Sequence, residues 1–134
     1  MAEHDQHRDP SGIVGRNLEP FLLLELLRAP TYGYDLIRQI VAMGYRRAAA
    51  EPGVVYKVLR SLEESGAIAS QWSTEGSGPA RRNYEITDDG RALLRRRAHQ
   101  LKRYQANLER LLVNYTELTG DDLATSDDLA VSVV

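Results

Sequence analysis

From Thr87 to Gly120 the chain carries an apolar heptad too long for a small domain to cover alone. Leu94, Leu101, Tyr104, Leu108, Leu111, Tyr115 and Leu118 fall at a and d positions, spaced 7, 3, 4, 3, 4 and 3. Arg97 occupies a d position and breaks the register once. Thr87 can cap this helix, Asp88 and Asp89 suit its positive end, and Gly120 stops it, giving a span of 88–119. At 1.5 Å per residue, about 30 residues make a rod of about 45 Å. Much of the stripe must therefore meet another chain. The expectation is a homodimer joined through these seven residues.

The remaining composition is that of an ordinary soluble domain, with 134 residues, 43% hydrophobic and 27% charged. With no cysteine there is no disulfide framework, thiol chemistry or cysteine-bound zinc. No unbroken apolar run is longer than that of Phe21 to Leu24, too short to span a membrane. Glu3, Asp5 and Asp9 in a leader without an apolar stretch argue against a secretory signal. A cytoplasmic protein with no membrane partner is expected. The formal net charge of −2 conceals a polarised layout. Residues 16–115 hold sixteen bases and eleven acids, net +5, and residues 116–134 hold five acids and no base. Acidic tails on a basic body leave a surface for anions.

Residues 1–16 are polar and read as a flexible leader. Asn17 can cap a first helix opening Leu18-Glu19-Pro20, with proline in its first turn, and Ala29-Pro30 ends it. Thr31 can cap a second helix with a stripe of Leu36, Ile37, Ile40 and Val41, closed by Gly44. Tyr45 to Glu51 is a loop or weak helix. Pro52-Gly53 opens a third helix with Val55, Leu59 and Leu62 inward, ended by Gly66. Residues 67–75 and 81–87 read as a hairpin with a polar tip. Ile68, Trp72, Tyr84 and Ile86 form its buried side, with Trp72 and Tyr84 as core anchors. The fold class is mainly α with a small β-hairpin. Three helices and a hairpin followed by a long helix is the order of a winged helix-turn-helix with a C-terminal dimerisation helix. Its divisions are a leader 1–16, a winged domain 17–87, the helix 88–119 and an acidic tail 120–134.

The third helix has its charges backwards. Lys57 and Arg60 lie toward its start, and Glu63 and Glu64 lie at its end. The macrodipole favours the opposite order by about 0.3–1 kcal/mol per charge. A helix start meant for phosphate would carry this order, because backbone N–H groups, dipole and cations converge on one anion. Val54, Lys57 and Ser61 read as one exposed face, with Tyr56 and Arg60 beside it. Lys57 or Arg60 can reach purine acceptors in a major groove, and Val54 a thymine methyl. Arg81-Arg82 follow the flexible tip and suit phosphates or a minor groove.

Other chemistry is thin. His4 and His7 with Asp5 read as an accidental polar tail rather than a metal site, and His99 falls at a solvent-facing f position. Gly12-Ile13-Val14-Gly15 lacks the lysine and preceding strand of a phosphate loop. No catalytic constellation, metal site or cofactor site is expected.

Leu22 to Leu94 resembles the PadR (phenolic acid repressor) family of bacterial transcriptional regulators. The resemblance rests on Tyr32-Gly33-Tyr34-Asp35-Leu36, Pro52-Gly53-Val54-Val55-Tyr56, and Leu59-Arg60-Ser61-Leu62-Glu63 with Gly66. It continues through Ser70-Gln71-Trp72 and Arg81-Arg82-Asn83-Tyr84-Glu85-Ile86-Thr87 with Gly90. Gly78-Pro79-Ala80-Arg81-Arg82 is also similar to a stretch of the polyhydroxyalkanoate-responsive repressors. The resemblance implies a dimeric winged-helix repressor of the compact subgroup, binding an operator in double-stranded DNA. It places DNA contacts on Tyr34, on Gly53, Val54, Tyr56 and Lys57, and on Arg81 and Arg82. The chain departs from the family at Val54, where threonine or serine is frequent, and at Lys57, where proline is frequent. The resemblance further implies a small aromatic or hydrophobic effector. Tyr104 and Tyr115 either line a pocket for it between subunits or fill the dimer seam. A different class of function, a winged-helix module binding a protein partner or a storage-granule surface, is compatible with the acidic tails and long helix.

Overall fold

The computed structural model describes residues 10–44, 51–74, 76 and 78–123, with side chains of the first helix from Leu18 onward. The elements run α1 (Pro10–Arg28), β1 (Thr31–Tyr32), α2 (Gly33–Ala42), α3 (Pro52–Glu64), β2 (Ile68–Ser73), β3 (Arg81–Ile86) and α4 (Asp88–Thr119). His4, His7, most of the expected 45–51 loop and the tail from 124 onward lie outside the described residues.

The expected start of the first helix is corrected. It begins at Pro10, not Leu18, and Pro20 falls within it. Pro10 supplies the opening signal assigned to Pro20, since a missing N–H costs nothing in a first turn. Leu18, Leu22, Leu23 and Leu26 bury the inner face of α1. Leu36 and Ile40 of α2, Val55, Leu59 and Leu62 of α3, and Ile68 and Tyr84 of the sheet complete the core. Among the described residues no charged side chain is buried. Each such aliphatic residue removed from water contributes roughly 1.5–3 kcal/mol before chain entropy is counted.

The sheet has three strands, ordered β1-β3-β2 and antiparallel throughout, not the two expected. Thr31 is no helix cap: it pairs with Tyr84 in β1, and its hydroxyl donates to the Ala29 carbonyl at 2.8 Å. Tyr32 takes the N-cap position of α2 without a side-chain capping bond. Two residues are too few to show an alternating pattern, so this strand exists only through its partner.

The α3 terminus is a complete Schellman motif. Ala67 N–H bonds the Leu62 carbonyl at 2.9 Å and Gly66 N–H the Glu63 carbonyl at 3.0 Å, with Gly66 at φ 85°. This hands the chain to β2, and the same corner receives the start of α4. Thr87 N–H bonds the Ala67 carbonyl at 3.0 Å. The Thr87 hydroxyl lies 2.7 Å from the Gly66 carbonyl and 2.9 Å from that of Ala67, and accepts from Gly90 N–H at 3.0 Å. Thr87 therefore caps α4 as expected and ties it to the end of α3. The α4 C-terminus also agrees with expectation, with Gly120 in the left-handed region and its N–H on the Thr116 carbonyl.

Leu93 and Leu94 of α4 pack on the core, but every residue from 98 to 122 is exposed. The exposed helical part is about 33 Å long at 1.5 Å per residue. Arg97 is the last tether. Its Nε lies 2.7 Å from Glu19 Oε1 on α1, which explains the charge at a heptad d position.

Candidate nucleic-acid interface

The N-terminus of α2, the outer face of α3 and the sheet enclose a cleft of about 480 Å³. Tyr32, Tyr34, Tyr56, Trp72 and Tyr84 supply its rings, Arg60, Arg81 and Arg82 its cations, and Glu63 its single acid. Tyr56, Arg60 and Glu63 reach it together because spacings of four and three place them along one side of α3. Gly33 makes the corner possible. A Cβ there would lie 2.9 Å from Tyr56 Cε1 and 3.3 Å from Tyr84 Cε2, so any larger residue would have to displace the Tyr56 ring.

Tyr34, Tyr56, Arg60, Arg81 and Arg82 thus share one cleft, as the sequence reading grouped them. Lys57 and Gly53 are exposed nearby, in the first turns of α3. Glu51 at the N-cap makes no side-chain capping bond, and Pro52 occupies the first position. Val54 differs from expectation. It is half-buried against the core, because Val55, Leu59 and Leu62 turn the inner face of α3 toward it. The open face carries Gly53, Lys57 and Arg60, with Ser61 and Glu64 also exposed.

Trp72 is corrected outright. It shares a strand face with Ile68, yet it is 62% exposed, because β2 has run past the core by the time it reaches residue 72. Tyr84 is the true anchor, 5% exposed. Its burial pushes the phenol above its ordinary value, against the opposing pull of Arg82. Across the sheet Trp72 pairs with Arg82, whose guanidinium lies 5.0 Å from the indole centroid. The Arg81 guanidinium lies 4.7 Å from the Tyr32 ring, and Arg38 lies 5.7 Å from the ring of Tyr34, itself 63% exposed. Arginines stacked on aromatic faces lose side-chain freedom without losing charge. Both wing arginines are therefore laid on rings at the start of β3 rather than waving at a flexible tip.

Tyr32, Gly33, Glu63 and Trp72 went unassigned in the sequence reading as cleft residues. Glu63 carried the available signal, an acid that with Glu64 sits at the end of α3 where the macrodipole favours bases.

The second expected surface lies on α4. Leu101, Tyr104, Leu108, Leu111, Tyr115 and Leu118 are all exposed, whereas Leu94 is half-buried against its own domain. Exposed Leu112, one position after Leu111, widens the stripe and was not anticipated. The Tyr115 hydroxyl donates to Asp121 Oδ2 at 2.8 Å, fastening the helix end. His99 is exposed, as its register position requires. Among the described residues no helix is long and apolar enough to cross a membrane.

No protein of curated function matches this chain. Solved structures do. A PadR family transcriptional regulator from Eggerthella lenta is 30% identical, with 84% of this chain and 96% of that one covered and a TM-score of 0.61. A PadR-like transcriptional regulator from Bacillus cereus shares the fold at 24% identity and TM-score 0.62, over 71% of this chain and 90% of that one. A Streptococcus transcriptional regulator shares it at 20% identity and TM-score 0.65, over 74% and 95%. The family profile described as "Transcriptional regulator PadR-like family" matches residues 22–96, from the middle of α1 through the whole sheet to the base of α4. With that profile spanning more than half of the chain, including α2, α3 and the whole sheet, and a regulator of the family 30% identical over most of both chains, the chain belongs to the PadR-like family of transcriptional regulators.

Proposed function

We propose that this regulator is a homodimeric, sequence-specific DNA-binding repressor that a small aromatic or hydrophobic effector releases from its operator. One observation carries the DNA reading: Arg60 of α3 and the stacked arginines of β3 line a single cationic cleft. Lys57 and Arg60 project from α3 for base edges, while Gly53, Tyr34 and Tyr56 flank them. Arg81 and Arg82 hold phosphates, and Val54, half-buried, supports the helix start rather than reading a base.

The dimer reading rests on the line of exposed leucines and tyrosines on α4, since a contiguous apolar strip on a small domain marks an interface. Pairing about a two-fold axis presents two heads to half-sites one helical turn, or a multiple of it, apart. Tyr104, Leu101, Leu108 and Leu112 border a shallow hollow on this strip, which supports an apolar effector acting at the seam.

Selection from a random duplex pool with the full chain tests the proposal. Enrichment of a two-fold-related site, with affinity that falls steeply with salt, is the expected result. Failure to enrich any sequence, with no binding at low salt, overturns it.

A further inference from the structure

Glu63 is the residue that a DNA-facing helix has least reason to carry, and its surroundings give it a task. Its Oε2 accepts the Ser70 hydroxyl of β2 at 2.7 Å. The same hydroxyl oxygen accepts Arg82 Nε of β3 at 2.9 Å. Arg82 Nη2 stands 3.9 Å from that carboxylate oxygen, and the guanidinium lies on Trp72. One edge of Arg82 is thereby held through a hydroxyl relay from the last turn of α3, while its plane is set by an indole. This network lies outside the buried core. The core closes through Leu59, Leu62, Ile68 and Tyr84 without it, and Glu63, Ser70 and Arg82 all keep some exposure.

We propose that Glu63 is a positioning residue, acting through Ser70, that locks Arg82 in one orientation relative to α3 and withholds part of its charge from indiscriminate phosphate contact. An arginine free to swing follows any phosphate backbone and adds equally to all sequences. An arginine fixed relative to α3 meets the backbone only where the groove geometry matches the helix's own register, so it contributes to discrimination. Glu63 thus exchanges bulk affinity for specificity. This inference rests on the DNA-binding reading above.

The test uses full-length chain, the duplex enriched by selection, and a scrambled duplex, each titrated at several salt concentrations. Glu63→Gln keeps the shape and an acceptor but removes the charge. It is expected to tighten the scrambled duplex several-fold, to steepen its log–log salt dependence by up to about 0.9, one counterion's worth, and to lower the preference for the enriched duplex by about tenfold. Ser70→Ala keeps every charge and breaks the relay, so the preference falls while the salt slope stays native. An Arg82→Gln background separates positioning from simple repulsion by an acid. There, Glu63→Gln is expected to leave the preference unchanged. Equal tightening of both duplexes by Glu63→Gln, or an effect on preference that persists without Arg82, overturns the proposal. So does a native preference in Ser70→Ala, and this variant carries the test should Glu63→Gln fail to fold. If the native chain enriches no duplex, the DNA-binding reading itself has failed, a result distinct from these.

Discussion

Replacing Gly90 with alanine sets two effects of opposite sign against each other. Gly90 sits in the first turn of α4, where helix propensity favours alanine over glycine by up to about 1 kcal/mol. Packing opposes it. A Cβ at position 90 would fall inside the van der Waals shell of the Ala67 carbonyl oxygen, 3.0 Å from the Ala67 carbonyl carbon and 2.7 Å from Ile86 Cγ1. Two of these three atoms are backbone, so no rotamer relieves the clash. Overpacking of this kind costs about 1–3 kcal/mol, sometimes more. The displaced carbonyl also accepts Thr87 N–H at 3.0 Å and faces the Thr87 hydroxyl at 2.9 Å. Weakening those bonds costs about 0.5–1.5 kcal/mol each. The net expectation is a loss of roughly 2–4 kcal/mol, a large share of the 5–15 kcal/mol that holds a domain together. At about 4 °C per kcal/mol, the Tm falls by roughly 8–16 °C. Gly53→Ala is the control, since a Cβ there meets nothing within 4 Å, and its stability should stay within about 1 kcal/mol of native. Urea unfolding at fixed protein concentration measures both. A Gly90→Ala variant as stable as the native chain would refute the packing of α4 against the α3–β2 corner.

Four further substitutions test other parts of the molecule. Leu108→Glu places a charge in the exposed α4 stripe, far from the core, so sedimentation should show a folded monomer with weakened DNA binding; a persistent dimer would move the interface elsewhere. Lys57→Ala should cost about 1–3 kcal/mol on the enriched duplex and relax one base position, whereas Arg81→Ala should weaken enriched and scrambled duplexes alike and flatten the salt slope by about 1. Identical behaviour of the two variants in anisotropy titrations would deny Lys57 a base-reading role. Tyr84→Phe addresses alkaline stability. The native phenol is raised above 10.0 by burial, so its contribution is fully present below that pH and is lost as pH rises through the folded value. Native protein should lose stability above about pH 10 relative to its own neutral value, and Tyr84→Phe should lose less. Parallel pH profiles of the two would show that the ring is not desolvated.

Local patterns carried much of the architecture. The heptad, the Thr87 cap and Gly120 placed α4 to the residue, and the spacing of Val55, Leu59 and Leu62 placed the inner face of α3. Such features depend on neighbours within a few positions along the chain, so they survive translation into a string of letters. The grouping of Tyr34, Tyr56 and the wing arginines was also legible, through the resemblance of their motifs to a known family, and that of Arg60 through the charge order of α3. Other readings needed contacts across long separations. Trp72 alternates correctly for a core strand, but alternation says which face a residue takes and not how far the core extends beneath it. Arg97 looked like a flaw in a coiled-coil register until Glu19, seventy-eight positions earlier, stood 2.7 Å away.

Helix periods, caps and charge order by themselves determined that this chain builds a small helical head, a wing and an overlong apolar helix, because those properties are local and periodic. Tertiary structure alone decided that Thr31 and Tyr32 are a strand, that Gly90 is bound by space rather than conformation, and that Glu63 meets Ser70 and Arg82. Each of those outcomes depends on a partner from another element, and the distance between two elements is not written in either of them.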